Sequence, residues 1–150
     1  MGCSSKEETI KDTAKNTSSD KKSEVLDFYL SIANTINSVD RDLNTYEAAE
    51  NPTILTEEDK QKAADSANDV VTALNDVKVP DSLHTYNKDF KEAITNIAES
   101  YQEKAVQLSG TGEISMDKAN ELFKDGSEKI NGIFNSEGLS APNLSTEVND

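Results

Sequence analysis

Residues 81–109 read DSLHTYNKDFKEAITNIAESYQEKAVQLS. Leu83, Tyr86, Phe90, Ile94, Ile97, Tyr101, Ala105 and Leu108 recur there at intervals of three and four. That spacing lays them on one stripe of an α-helix and leaves the charged and amide residues on the other face. Pro80 stands just before the stretch, and Ser109-Gly110-Thr111-Gly112 follows it. Proline suits a first helical turn and glycine a helix end. A helix of this length with one apolar stripe must bury that stripe against neighbours, and the flanking sequence supplies them.

On the N-terminal side, Val25, Phe28, Ile32, Ile36, Val39, Leu43 and Tyr46 follow the same period. They predict a long helix over 23–49 that stops at Asn51-Pro52, because proline restricts the residue before it and donates no hydrogen bond. Thr56 followed by Glu57, Glu58 and Asp59 predicts a capped start for the next helix, which runs to Val77 with Ala63, Ala67, Val70, Val71 and Leu74 inward. On the C-terminal side, Ser115 is the expected cap of a helix over 116–135 with Ala119, Leu122, Phe123, Ile130, Ile133 and Phe134 inward. Gly126 and Gly132 each weaken that helix by about 1 kcal/mol relative to alanine, so a break near Asp125-Gly126 is expected if it breaks anywhere.

No strand pattern competes. Short connections between long amphipathic helices favour antiparallel neighbours, so the expected fold is an all-α, up-down-up-down four-helix bundle. Three helices with a loosely packed fourth is the fallback. The domain occupies 22–135. Residues 1–21 hold Ile10 as their only large aliphatic residue beyond Met1 and read as a flexible leader; 136–150 hold turn-formers without helical period and read as a disordered tail.

The chain has 150 residues and a formal net charge of −14. Residues 1–24 carry five lysines and five acids, so the remaining residues hold the whole excess, ten basic groups against twenty-four acidic. Such a field repels phosphate backbones and anionic headgroups, which disfavours nucleic acid and any electrostatic membrane contact. No apolar run approaches the roughly 20 residues needed to span a bilayer.

Cys3 is the sole cysteine, so no intrachain disulfide or thiolate metal site can form. The stretch Gly2-Cys3-Ser4-Ser5 and the polar residues after it resemble the processed end of a bacterial lipoprotein, in a Gram-positive style rich in lysine, asparagine and serine. The resemblance covers about twenty residues and implies that Cys3 carries diacylglycerol, with Gly2 as the small residue before the cleavage point. It further implies an extracytoplasmic domain anchored to the cell membrane by lipid. A rival pattern, myristoylation of Gly2 beside a palmitoylated Cys3, requires serine or threonine at position six, where Lys6 stands. The helical part resembles no family.

Enzymatic chemistry finds little support. His84 is the only histidine, and Asp81-x-x-His84 lacks the second motif and inward carboxylates that a bundle metal site requires, so an exposed or capping role is expected and no metal or other cofactor. Asp40-Arg41-Asp42-Leu43-Asn44 imitates the start of a calcium loop but has Thr45 where glycine belongs and Asn51 where glutamate belongs, so it should stay helical. Tyr29, Tyr46, Tyr86 and Tyr101 are ordinary core-edge residues at this spacing, or the lining of a slot between helices. The expectation is a non-catalytic, surface-anchored module that binds a protein partner. A carrier of a small ligand or peptide in an interhelical cleft is the alternative.

Overall fold

The structure, a computed structural model, describes the backbone of residues 4–149 and the side chains from Asp20 to Asn149, Pro52 excepted. Among these residues lie six α-helices and no strand. They are α1 (Ser4–Asn37), α2 (Arg41–Glu47), α3 (Glu57–Asn75), α4 (Asn87–Ser109), α5 (Asp117–Ser136) and α6 (Leu144–Val148), with short 3-10 turns at Pro52–Ile54 and Asp81–Tyr86. The fold is an all-α helical bundle.

Helix α4 is the centre of the bundle and packs along both α3 and α5. Ser100 Oγ donates to Ala119 O (2.7 Å) and Lys129 Nζ to Glu92 (2.8 Å). The pairings 100 with 119 and 92 with 129 run in opposite order, so α4 and α5 are antiparallel. Helix α1 reaches the core through large side chains. Phe28 stands edge-on to Phe90 with ring centres 4.8 Å apart, and Tyr29 edge-on to Phe134 at 5.3 Å. The expected stripes are the core: Val25, Ile32, Ile36, Leu43, Val70, Leu74, Leu83, Phe90, Ile97, Ile130 and Ile133 are all buried. Val39, Tyr46, Val71, Tyr86 and Phe123 pack at its edge.

Five expectations need correcting. The helix expected over 23–49 breaks at residues 38–40 into α1 and α2. Thr35 and Ser38 turn their hydroxyls back onto backbone carbonyls, Thr35 to Ser31 O and Ser38 to Thr35 O, a local bonding that competes with the helix ladder. Ser66 Oγ then holds the freed Val39 carbonyl at 2.6 Å and ties the break to α3. The helix expected over 81–109 opens instead with a 3-10 segment, non-helical at Leu83 (φ −102°, ψ 25°), before α4 proper.

The leader expected to be flexible is helical from Ser4, as the first part of α1; Met1 to Cys3 lie outside the described residues. Residues 4–21 contain no proline or glycine, and extending an existing helix adds a hydrogen bond per residue without a new nucleation cost. Lacking apolar residues therefore does not oblige the segment to lose helical order. The tail read as disordered is also structured. Leu144 and Val148 of α6 are buried in the core and Leu139 packs against it.

The N-termini of α3 and α5 contrast. Thr56 forms the expected cap, its hydroxyl accepting from Asp59 N (3.1 Å) while the Asp59 carboxylate accepts from Thr56 N (2.8 Å). Ser115 caps nothing; its N–H donates to the Gln107 side chain and Met116 holds the N-cap position without a side-chain bond. Helix α5 passes through Gly126 unbroken.

Candidate functional site

The four tyrosines do not assemble one slot. Tyr29 is buried against Phe134, and its hydroxyl finds no hydrogen-bond partner. Burial, and secondarily the charge of Glu147, push that hydroxyl up to about 12. Tyr101 is buried edge-on to Phe123 with Lys104 Nζ 5.4 Å from its ring centre. Burial raises its hydroxyl far above the ordinary tyrosine range, and Asp40 and Glu47 act the same way. Tyr86 is half-buried and donates to Glu137; burial, then that bond, raise it to about 12. Tyr46 lines a small notch of about 60 Å³ with Asp42, Leu55, Asp59 and Lys62. Cys3 lies outside the described residues.

A more organised site lies where α6 crosses the junction of α1 and α2. Leu144 and Val148, four residues apart, project from one face of α6 into the core. A five-residue helix cannot satisfy its own last carbonyls. Two asparagines of the receiving surface do so: Asn37 Nδ2 donates to Glu147 O (2.9 Å) and Asn44 Nδ2 to Val148 O (2.8 Å). Asn143 caps the other end, accepting from Thr146 N (3.3 Å). The floor beneath includes Tyr29, whose hydroxyl faces the charge of Glu147.

Asp40 belongs to the same surface. It sits in the break before α2, only 2% exposed, and its Oδ2 has no partner. Burial raises its carboxyl above the usual carboxylate range, partly offset by a hydrogen bond from Asn44 and by its own backbone. Asn44, whose backbone N–H donates to Asp40 O (2.9 Å), therefore joins the break before α2 to the carbonyl end of α6. Next to it Lys104 Nζ pairs with Glu47 at 2.7 Å, the lysine side chain only 12% exposed.

Sequence reasoning missed Asn37, Asp40, Asn44, Leu144 and Val148 as a group. A signal existed in the four-residue spacing of Leu144 and Val148, outweighed by the Gly138 and Pro142 that precede them. The singled-out polar motifs take ordinary places. His84 is exposed, with Nδ1 3.3 Å from Asp81 O in its own turn. Asp42 is exposed on α2 and does not join Asp40. Among the described residues no three His, Cys, Asp or Glu side chains gather as a metal set, and no helix is long and apolar enough to cross a membrane.

Two surface clefts exceed 500 Å³ among the described residues. One, about 590 Å³, lies at the α3–α4 connection beside Lys78, Pro80, His84 and Lys91. The other, about 520 Å³, separates α5 from the C-terminal segment and is lined by Asn120, Phe123, Lys124, Ser127, Asn131 and Asn143, among others, without a carboxylate. No family model, no curated protein and no solved structure matches this chain. Its function has to be read from its own chemistry.

Proposed function

We propose that this chain is a lipid-anchored, non-catalytic interaction module on the extracytoplasmic face of a cell membrane. Diacylation of Cys3 attaches it, and the acidic bundle engages a protein partner at the surface. One observation carries the choice of a binding module over a ligand carrier. The tyrosines that could have lined a slot pack separately into or against the core, while Leu26 and Leu30, one turn apart on the outer face of α1, stand 42% and 38% exposed. Exposed branched side chains one helical turn apart are how a helix presents itself to another helix. The up-down-up-down order of the principal helices belongs to the same reading, supported by the antiparallel α4 and α5.

The charge of −14 supports a lipid rather than an electrostatic anchor and speaks against nucleic acid as a partner. Acyl chains contribute about 0.8 kcal/mol for each buried methylene, so two chains anchor stably where one is marginal. The carrier reading keeps one supporting feature, the carboxylate-free cleft beside α5. Expression of the full-length gene in a Gram-positive host tests the anchor. The product partitions into detergent and the Cys3→Ser variant is not diacylated. A native gene that starts at Met1 and yields an unacylated cytoplasmic protein sinks the assignment. Photo-crosslinking from position 30 tests the surface: a discrete protein adduct lost in Leu26→Ser is expected, and its absence on intact cells counts against α1 as the contact.

A further inference from the structure

Helix α6 sits on the bundle as a ligand sits on a receptor. It is a single turn and a half, reached through residues 137–143, where Gly138 adopts φ +72° and Gly138, Ser140, Ala141 and Asn143 are exposed. Its hold consists of two aliphatic side chains four residues apart and two amide-to-carbonyl hydrogen bonds, from Asn37 and Asn44. Each of these contacts would be offered equally to any helical turn with aliphatic residues at i and i+4 that ends in free carbonyls.

The fit of α6 is also incomplete. Tyr29 Oη, within reach of the charge of Glu147, is buried without a partner among the described residues. The acid that α6 brings, Glu147, is one of twenty-four acidic groups set against ten basic ones in residues 25–150. Glu147 is exposed and pairs with no lysine among the described residues, and no basic residue stands in the last turn of α6. The segment native to the groove therefore satisfies its apolar contacts and leaves its one charge without an ion pair among the described residues.

We propose that α6 is a displaceable internal occupant, and that the groove over Tyr29, Asn37 and Asn44 is a docking site for a short basic amphipathic helix of a partner protein. The occupant carries branched aliphatic residues four apart, as Leu144 and Val148 are, and a lysine or arginine where α6 carries Glu147. Charge complementarity selects it: a cation at that position adds an attraction to the surface of a −14 domain. The mode is a helix in a groove, read from its anchor spacing. The inference rests on the reading of the bundle as a binding module, yet it is independent of Cys3 and of the Leu26–Leu30 face, and the experiments above can fail without touching it.

The test uses the isotope-labelled full chain and three unlabelled peptides: residues 140–149 as they stand, the same with Glu147→Lys, and a scrambled version of the lysine peptide. The lysine peptide is expected to shift the side-chain amide signals of Asn37 and Asn44 and to move the Leu144 and Val148 signals of the chain toward random-coil positions. The unaltered peptide competes more weakly, and the scrambled peptide does neither. Removing the internal competitor with Leu144→Ala/Val148→Ala raises apparent affinity for the lysine peptide by about tenfold or more, since a groove filled nine-tenths of the time binds at a tenth of its intrinsic strength. Asn44→Ala lowers it. Binding that leaves α6 in place, equal binding of the scrambled peptide, or no binding at all overturns the proposal. Should the double variant not fold, hydrogen exchange on the unaltered chain decides. Amides of α6 and of the α1–α2 junction that open only with global unfolding exclude a displaceable α6, and exchange of α6 through a separate local opening upholds it.

Discussion

Along the α4–α5 seam the two backbones come so close that a side chain would not fit between them. A Cβ on Gly126 would stand 2.7 Å from Ile97 Cγ1 and 2.9 Å from Ala93 O. At α6 the opposite holds: a helix of five residues rests on side chains alone, through Leu144, Val148 and two asparagine amides. The seam is long and continuous along α4 and α5, with the Ser100–Ala119 and Glu92–Lys129 bonds crossing it, so nothing in it loosens without the rest. The α6 contact is short and can detach while the bundle stands. Length of continuous contact, more than the chemistry of any single residue, separates a structural interface from an exchangeable one.

The largest effect should come from the seam. Ile97→Ala, removing a fully buried side chain at the close approach, is expected to cost about 2–5 kcal/mol in denaturant unfolding. Gly126→Ala comes next. It gains about 1 kcal/mol of helix propensity but meets a backbone oxygen that cannot step aside, for a net loss of about 1–2 kcal/mol. A stabilised Gly126→Ala protein would break the account of the seam. Leu144→Ala should cost only about 1–2 kcal/mol although the residue is equally buried, because α6 can detach instead of bearing a cavity. A loss as large as that of Ile97→Ala would erase the distinction between the two regions.

Asp40 gives a pH test of the α6 side. Its folded carboxyl titrates above the unfolded one, so the folded state binds its proton more tightly. Stability contributed there is present at low pH and is lost as pH climbs from the unfolded value through the raised folded one. Asp40→Asn should therefore match the unaltered protein most closely in acid and gain on it toward neutrality, as melting curves across that range would reveal. A difference that is the same at every pH would detach Asp40 from the effect. The smallest change is Gly132→Ala, where a Cβ meets nothing within 4 Å. It should add about 0.5–1 kcal/mol through helix propensity alone, and a loss at this position would mean the two glycines of α5 are not the contrast they form here.

The long stripes were legible because periodicity records burial directly. Phe90, Ile97 and Tyr101 belong to the core for the same reason that they recur every three or four residues. The capping box at Thr56 and Asp59 was legible because it is a bond between near neighbours. The break before Asp40 was not, since Val39, Leu43 and Tyr46 keep the helical period across it and the interaction that holds it open, Ser66 to the Val39 carbonyl, spans 27 positions. The same blindness hid the α6 site. Asn37 and Asn44 meet the carbonyls of residues 147 and 148 across more than a hundred residues, and nothing local marks an asparagine as a partner for a distant helix end. The role of Gly126 was misread for a related reason. Propensity counts a helical glycine as a cost, whereas packing against Ala93 demands it.

The position of Tyr29 has a practical consequence. The chain contains no tryptophan, so its near-ultraviolet absorption and emission come from four tyrosines and four weakly absorbing phenylalanines. Tyr29 is fixed edge-on to Phe134 near Glu147 of α6, in an asymmetric and buried setting that favours a strong circular-dichroism band. When α6 lifts, that ring meets solvent and its hydroxyl gains a hydrogen bond. The molecule thus carries its own optical reporter for the opening of the groove, one that Tyr29→Phe would silence without adding a label.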